Sequence, residues 1–237
     1  MSVNYPGQEL ELFENAKNWK SYFSHKINPY ISGDVLEVGA GIGGTTPYLV
    51  TSKVSSWTCI EPDKVLFEKL VKEGDTWRNK DLYQFSNAVL EAQTEQYDTI
   101  LYIDVIEHIE KDGEELVRAY QALRPGGSLI VLVPAFNFLY SPFDQSIGHF
   151  RRYDKRMLTA IVPQQMEIRE LFYLDSLGFF SSVANKLVLK QPYPSQGQIN
   201  FWDSYLVPIA KRLDPLFRNS FGKSLVGVFG KSTGIHK

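Results

Sequence analysis

The run Gly39-Ala-Gly-Ile-Gly-Gly44 follows directly on the apolar segment Asp34-Val-Leu-Glu-Val38. Glycines this dense let the chain turn tightly and let its backbone approach a ligand without Cβ atoms in between. Thr45 and Thr46 then offer N-caps, and Pro47 suits a first helical turn. Strand, glycine turn and helix in this order open a βαβ unit. The start of the chain is thereby committed to an α/β architecture that binds ligands at one edge of a parallel sheet.

The rest of the sequence agrees. Apolar runs predict strands over 57–60, 83–86, 97–103 and 128–133, and later ones over 166–174 and 224–229. Helices are expected over 10–30, 64–72, 112–123 and 155–161, and a helical pair over 177–189 and 199–213. The reading is a Rossmann-like, doubly wound, mostly parallel seven-stranded sheet with helices on both faces, an N-terminal lid helix and a helical insertion near the C-terminus. One domain is expected over 1–237: a helical cap (1–32), a binding core (33–134), and an acceptor-side loop, insertion and final strands (135–237). A hydrophobic content of 43% with 22% charged residues excludes a disordered chain. The single cysteine, Cys59, excludes an internal disulfide, a multi-cysteine zinc site and an iron–sulfur cluster. It reads as an inert buried thiol. Met1 to Leu10 lack a signal-peptide pattern and no eighteen-residue apolar run exists, so a cytoplasmic protein is expected.

Gly39, Gly41 and Gly44 alone would serve NAD, FAD or S-adenosylmethionine (SAM). The neighbours discriminate. Glu37, two residues before the first glycine, is awkward beside a pyrophosphate but comfortable beside a sulfonium. Glu61, after the second strand, can accept from ribose hydroxyls in either case.

With these residues in place the sequence resembles the class I SAM-dependent methyltransferases. Val35-Leu-Glu-Val-Gly-Ala-Gly-Ile-Gly-Gly44 looks like their glycine-rich first motif, and Ile60-Glu-Pro-Asp63 like their ribose-binding acid. Tyr97 to His108, ending Asp104-Val-Ile-Glu-His108, looks like their fourth-strand motif, and Leu123-Arg-Pro-Gly-Gly-Ser-Leu129 like the turn before the fifth. The resemblance spans residues 34 to 133. It implies that Glu37, Gly39, Ala40, Gly41 and Asp104 line the methionine end of SAM, with Asp104 also near the transferring methyl as a catalytic candidate. Glu61 would hold the ribose, and Pro62, Asn87 and Ala88 would meet the adenine. Asn87 departs from the acid usual there. The activity implied is O- or N-methylation of a small-molecule or lipid-linked acceptor, with no metal required. An NAD-dependent oxidoreductase on the same fold and a non-catalytic SAM-binding protein are the rival readings.

Methyl transfer to a hydroxyl or protonated amine needs a base. His108, four residues beyond Asp104, is one candidate, against a packing role at a helix start. Glu107 reads as solvated or capping. His149 is the second candidate, in the aromatic segment Tyr140 to Tyr153. Tyr140, Asp144, Arg152 and Tyr153 of that segment are expected in the acceptor pocket, unless Arg–carboxylate pairs merely pin the loop. One of Arg151 and Arg152 reads as structural, the other as a holder of an anion. Trp19 and Tyr22 read as core residues of the cap, beside Lys20.

The net charge of −2 conceals a split. Residues 177–237 carry eight Lys and Arg against two acids, leaving seventeen against twenty-five in 1–176. The apolar, basic stretch 177–213, with Lys186, Lys190, Lys211 and Arg212, suits a lid over the pocket. A dimer face and peripheral contact with an anionic membrane are its other readings. The balance supports an anionic acceptor and gives no reason to invoke nucleic acid.

Overall fold

The computed structural model describes residues 5–7, 9–92, 96–189 and 193–233. Its strands are β1 (Gly33–Val38), β2 (Val54–Ile60), β3 (Tyr83–Ser86), β4 (Tyr97–Ile103), β5 (Leu123–Pro134), β6 (Met166–Leu174) and β7 (Ser224–Lys231). They form one sheet in the order β3-β2-β1-β4-β5-β7-β6. β1 to β5 run parallel, and β7 lies antiparallel between β5 and β6. The chain winds outward from β1 to β3, then returns to β4 on the other side of β1. A crevice therefore opens between the C-terminal ends of β1 and β4, where such sheets bind ligands.

The helices, in chain order, are α1 (Glu9–Leu12), α2 (Lys17–Ile27), α3 (Thr46–Leu49), α4 (Lys64–Gly74) and α5 (Asp112–Ala122). Then come α6 (Pro142–Ser146), α7 (Lys155–Ile161), α8 (Ser176–Ala184), α9 (Gln196–Phe201) and α10 (Val207–Leu213). Apolar side chains of the sheet divide between two cores. One is built on Leu36, Ile100, Tyr102, Leu129 and Phe229, the other on Val35, Trp57, Leu101, Ile130 and Val228. Alternate residues of each strand point to opposite faces, so both faces are covered.

Three expectations change. The helix read over 10–30 is broken: α1 ends at Leu12, a turn follows, and α2 begins at Lys17. The new helix start is capped from far away. The Asp203 carboxylate accepts from Asn18 N (3.2 Å) and Trp19 N (2.8 Å), supplying acceptors that the local sequence lacks. Next, Arg124-Pro-Gly-Gly127 does not merely precede a strand: it is part of β5. The register against β4 jumps from Tyr97↔Leu123 to Thr99↔Ser128, and Arg124 bridges Asp34 and Asp98 at 2.7 Å each. Finally, the loop read over 135–153 contains α6, closed by a capping box between Ser141 and Asp144.

The insertion lies between β6 and β7, as expected. It is not two plain helices. α8 continues into a π-helical turn at Asn185–Leu189, and a second π-helical turn, Trp202–Leu206, joins α9 to α10. Asp203 caps α2. Asp214 accepts from the Tyr22 hydroxyl at 2.8 Å and from Asp175 N at 2.7 Å. These buried bonds bind the insertion to the N-terminal cap. Phe180, Tyr205 and Leu216 stay exposed. Lys190 and the first residues of the connection between the two expected helices, 191–192, lie outside the described residues. No described helix is long and apolar enough to cross a membrane.

Candidate active site

A cavity of about 880 Å³ occupies the crevice between β1 and β4. Its floor is the glycine loop. Gly39, Gly41 and Gly43 have φ of +67°, +59° and +79°, a region where side chains are strained. At Gly39 a Cβ would also stand 2.8 Å from Val105 Cγ2. Gly39, Ala40 and Gly41 line the cavity, with Pro62, Ala88 and Asp104.

Glu61 borders the same space, only 5% exposed. Its carboxylate accepts from Gly41 N and Asp63 N, both at 2.9 Å. It thus fixes the loop that it faces. A carboxylate offers about four lone-pair positions, so further donors can still be received. Asp63, next in line, caps α4 by accepting from Val65 N and Leu66 N.

Glu37 lies under the loop, 3% exposed. Its Oε2 accepts from Thr46 Oγ1 at 2.8 Å and Trp57 Nε1 at 2.9 Å. Burial pushes its carboxyl up from 4.5 to about 7, against the pull of those hydrogen bonds. The folded protein therefore holds a proton that the unfolded chain releases. Stability from this group is present in acid and lost as pH rises from about 4.5 through about 7. The loss is on the order of 3 kcal/mol. Glu37→Gln keeps an acceptor without the charge. Its stability relative to the native sequence should rise across that window and level off above it, which urea unfolding at pH 5, 6, 7 and 8 would read. A difference independent of pH would refute the assignment.

Asn87 is a correction. It is exposed, does not line the cavity, and donates from Nδ2 to the carbonyls of Glu61 (2.8 Å) and Pro62 (3.2 Å). It braces the acid-bearing turn. An amide can do this where an acid could not, because the bracing needs a donor.

The far wall comes from the loop after β5. Asp144 is fully buried and anchors a network. Arg152 donates to it from Nε at 2.7 Å and Nη2 at 2.9 Å. His149 Nδ1 lies 3.0 Å from Asp144 Oδ1. Arg152 and the paired His149 hold the Asp144 carboxyl far below the usual range despite its burial. Facing a carboxylate, Nδ1 of a neutral His149 carries the proton, which leaves Nε2 as a lone pair. His149 lines the cavity.

The other members of that segment part from expectation. Tyr140 donates to His149 O at 2.6 Å, and Tyr153 donates to Asp112 at 2.7 Å. Neither lines the cavity, so both hold the loop rather than face an acceptor. Asp144 does line the cavity, and it also orients its neighbours. Arg151 binds Asp112 and Glu110 O and is the structural arginine of the pair. Arg152 lines the cavity.

His108 also lines it, packed against His149 with ring centroids 4.5 Å apart. Burial and the neighbouring His149 depress its pKa to about 3. It stays neutral near pH 7, and as a base it is far weaker than an ordinary histidine. Glu107 reverses its reading as a solvated or capping acid. It is fully buried, and neither carboxyl oxygen has a hydrogen-bond partner among the described residues. His149 Nε2 lies 3.8 Å from its Oε1. Burial, with Asp104 and Asp144 nearby, raises its pKa well above the usual carboxylate range. Glu107, His108 and His149 bring candidate ligand atoms within 4.8 Å of one another. The expectation of no metal had not foreseen such a cluster.

Two lysines complete the wall. Lys20, on α2, is 7% exposed and donates to Glu14 O at 2.8 Å. Its ammonium would lie 3.1 Å from a Cβ at Gly44, so it overhangs the glycine loop. Lys223, just before β7, was not singled out from the sequence, because nothing near it in the chain carries chemistry.

Residues 36–129 match the family model described as a methyltransferase domain. No curated protein matches the chain. Among solved structures, the N-methyltransferase NodS of Bradyrhizobium japonicum WM9, in complex with S-adenosylhomocysteine, superposes with a TM-score of 0.60 at 12% identity. The match covers 97% of this chain and 93% of that one. A SAM-dependent methyltransferase of Clostridium acetobutylicum ATCC 824 gives 0.57 at 11% identity, over 92% of each chain. The [4+2]-cyclase SpnF gives 0.63 at 13% identity, covering 99% and 98%. Identities this low show the fold and nothing finer. The fold is that of class I, SAM-dependent methyltransferases, and residues 36–129 match a methyltransferase domain. The acid-lined glycine cavity fits a sulfonium ligand such as S-adenosylmethionine.

Proposed function

We propose that the protein methylates a hydroxyl or amino group of a small organic molecule, with His149 as the general base. The observation that carries this reading is the Asp144–His149 pair on the wall beyond the glycine loop. It fixes one ring nitrogen and leaves the other as an acceptor within the cavity.

The residues for the cofactor are chosen by chemistry and position. Gly39, Ala40 and Gly41 give backbone access. Glu61 would receive the ribose hydroxyls, and Pro62 and Ala88 would flank the adenine. Asp104 faces the methionine end, where a carboxylate suits the sulfonium and amino groups, and Glu37 lies beneath the loop there. Lys20 supplies a cation for the methionine carboxylate. When bound, the cofactor supplies an electrophilic methyl group on sulfur. His149 Nε2 takes the proton that the acceptor gives up as its lone pair bonds to the methyl carbon. The bound cofactor would supply the leaving group, its sulfur keeping the C–S electron pair. Asp144 keeps the imidazole in the right tautomer and stabilises its charged form, as carboxylates paired with histidine do. Alignment does the rest, and the cap and insertion exclude water.

SpnF shows that this fold is also found in a cyclase, so the reaction must be argued from the site. The test is incubation with methyl-labelled SAM and a small-metabolite extract. Label should pass to a low-mass product, and S-adenosylhomocysteine should bind by calorimetry. Binding without any transfer, or transfer confined to macromolecules, would refute this reading.

A further inference from the structure

We propose that the acceptor carries a carboxylate, bound between the Lys223 ammonium and Arg152 Nη1. This rests on the small-acceptor reading above and names the chemical class that the site selects. Lys223 precedes β7, three places along the sheet from β1 and its glycine loop. Both residues line the cavity.

Two unanswered donors motivate the assignment. Arg152 is 7% exposed, and its Nε and Nη2 are committed to Asp144. Nη1 is buried and has no partner among the described residues. A buried donor left unmade costs about 1–3 kcal/mol, so native proteins leave few of them without a reason. Lys223 is pinned through its backbone, accepting from Ala135 N at 2.8 Å and donating to Asp175 O at 3.0 Å. Its ammonium stands 4.4 Å from the Trp202 ring centre and 5.6 Å from that of Phe13. Among the described residues it makes no hydrogen bond or ion pair. The carboxylate of Asp175, which acts on it electrostatically, is already bonded to Trp202 Nε1 and Gly178 N.

The two cations repel each other across the cavity, and burial and this repulsion both lower the Lys223 pKa. An anion between them removes the repulsion and satisfies both donors. Asp104 and Asp144 also act on Lys223, so a single negative charge suits the site better than two. The other walls here include Ile147, Phe143 and Phe150, which fit an apolar or aromatic body. The carboxylate is an anchor. The methylated atom is a separate hydroxyl or amine near His149.

Ligand-observed NMR with benzoate, phenyl phosphate, benzyl alcohol and benzylamine tests this on the full chain saturated with S-adenosylhomocysteine. Benzoate should bind at least about ten-fold more tightly than benzyl alcohol, with phenyl phosphate weaker and benzylamine weakest. Lys223→Gln should reduce benzoate to the level of benzyl alcohol, and Lys223→Arg should restore most of the difference. Cofactor-product affinity should be unchanged in both. Equal binding of benzoate and benzyl alcohol, or native benzoate affinity in Lys223→Gln, would overturn the proposal. Phenyl phosphate binding more tightly than benzoate would overturn the choice of carboxylate. If Lys223→Gln fails to fold, the four-probe comparison on the native protein decides alone. Failure of the native protein to bind S-adenosylhomocysteine would instead strike the methyltransferase reading.

Discussion

His149→Ala should lower methyl transfer by about two to four orders of magnitude, the usual worth of a positioned base. The loss should fall on kcat. S-adenosylhomocysteine affinity should stay within about two-fold of native, because His149 comes from the loop after β5 while the cofactor cradle comes from β1 and β2. His108→Ala makes the contrast. With its pKa near 3, His108 accepts protons poorly, so its removal should act through packing against Tyr5 and His149. Single-turnover rates separate the two: the loss should be large in His149→Ala and small in His108→Ala. If His149→Ala transfers methyl groups within three-fold of the native rate, the base is elsewhere or the acceptor needs none.

Asp144→Ala should produce the largest loss of stability. Among the described residues the carboxylate is the only ion partner of Arg152, and it is itself fully buried. Removing it leaves a guanidinium buried without compensation, a change that costs about 3–5 kcal/mol. In a chain of this size each kcal/mol moves Tm by roughly 2–4 °C, so a fall of about 6–20 °C is expected by calorimetry. Asp144→Asn keeps an oxygen acceptor and the capping geometry with Ser141, and should lose less. Its activity should still fall, because an amide no longer stabilises a charged imidazole. A Tm within 2 °C of native for Asp144→Ala would mean that the network carries no stability.

Much of the cofactor half was legible because its chemistry is local. The strand, the glycines and Glu61 stand close together in the chain, and each imposes itself through backbone conformation or residue type. Even there, Asn87 misled: its position after β3 was right, but the direction of its side chain is set by the Glu61 and Pro62 carbonyls. The acceptor half was legible only as a dense patch. Tyr140, Asp144, His149, Arg152 and Tyr153 were all singled out, yet sequence could not divide cavity wall from scaffold. That division depends on the partners each finds. Asp112, forty-one residues from Tyr153, claims its hydroxyl.

The sequence by itself determined the α/β class, the strand inventory, the ligand edge and the kind of ligand, since alternation, apolar runs and glycine turns act over a few residues. Tertiary structure decided where α2 begins, which of two histidines pairs with Asp144, and that Glu107 is buried without a hydrogen-bond partner among the described residues. It also brought Lys223 to Arg152, seventy-one positions apart, to face one cavity. The glycine loop announces a site because its backbone needs are written in consecutive residues. The acceptor wall does not, because burial, electrostatic field and pairing exist only once distant segments have packed.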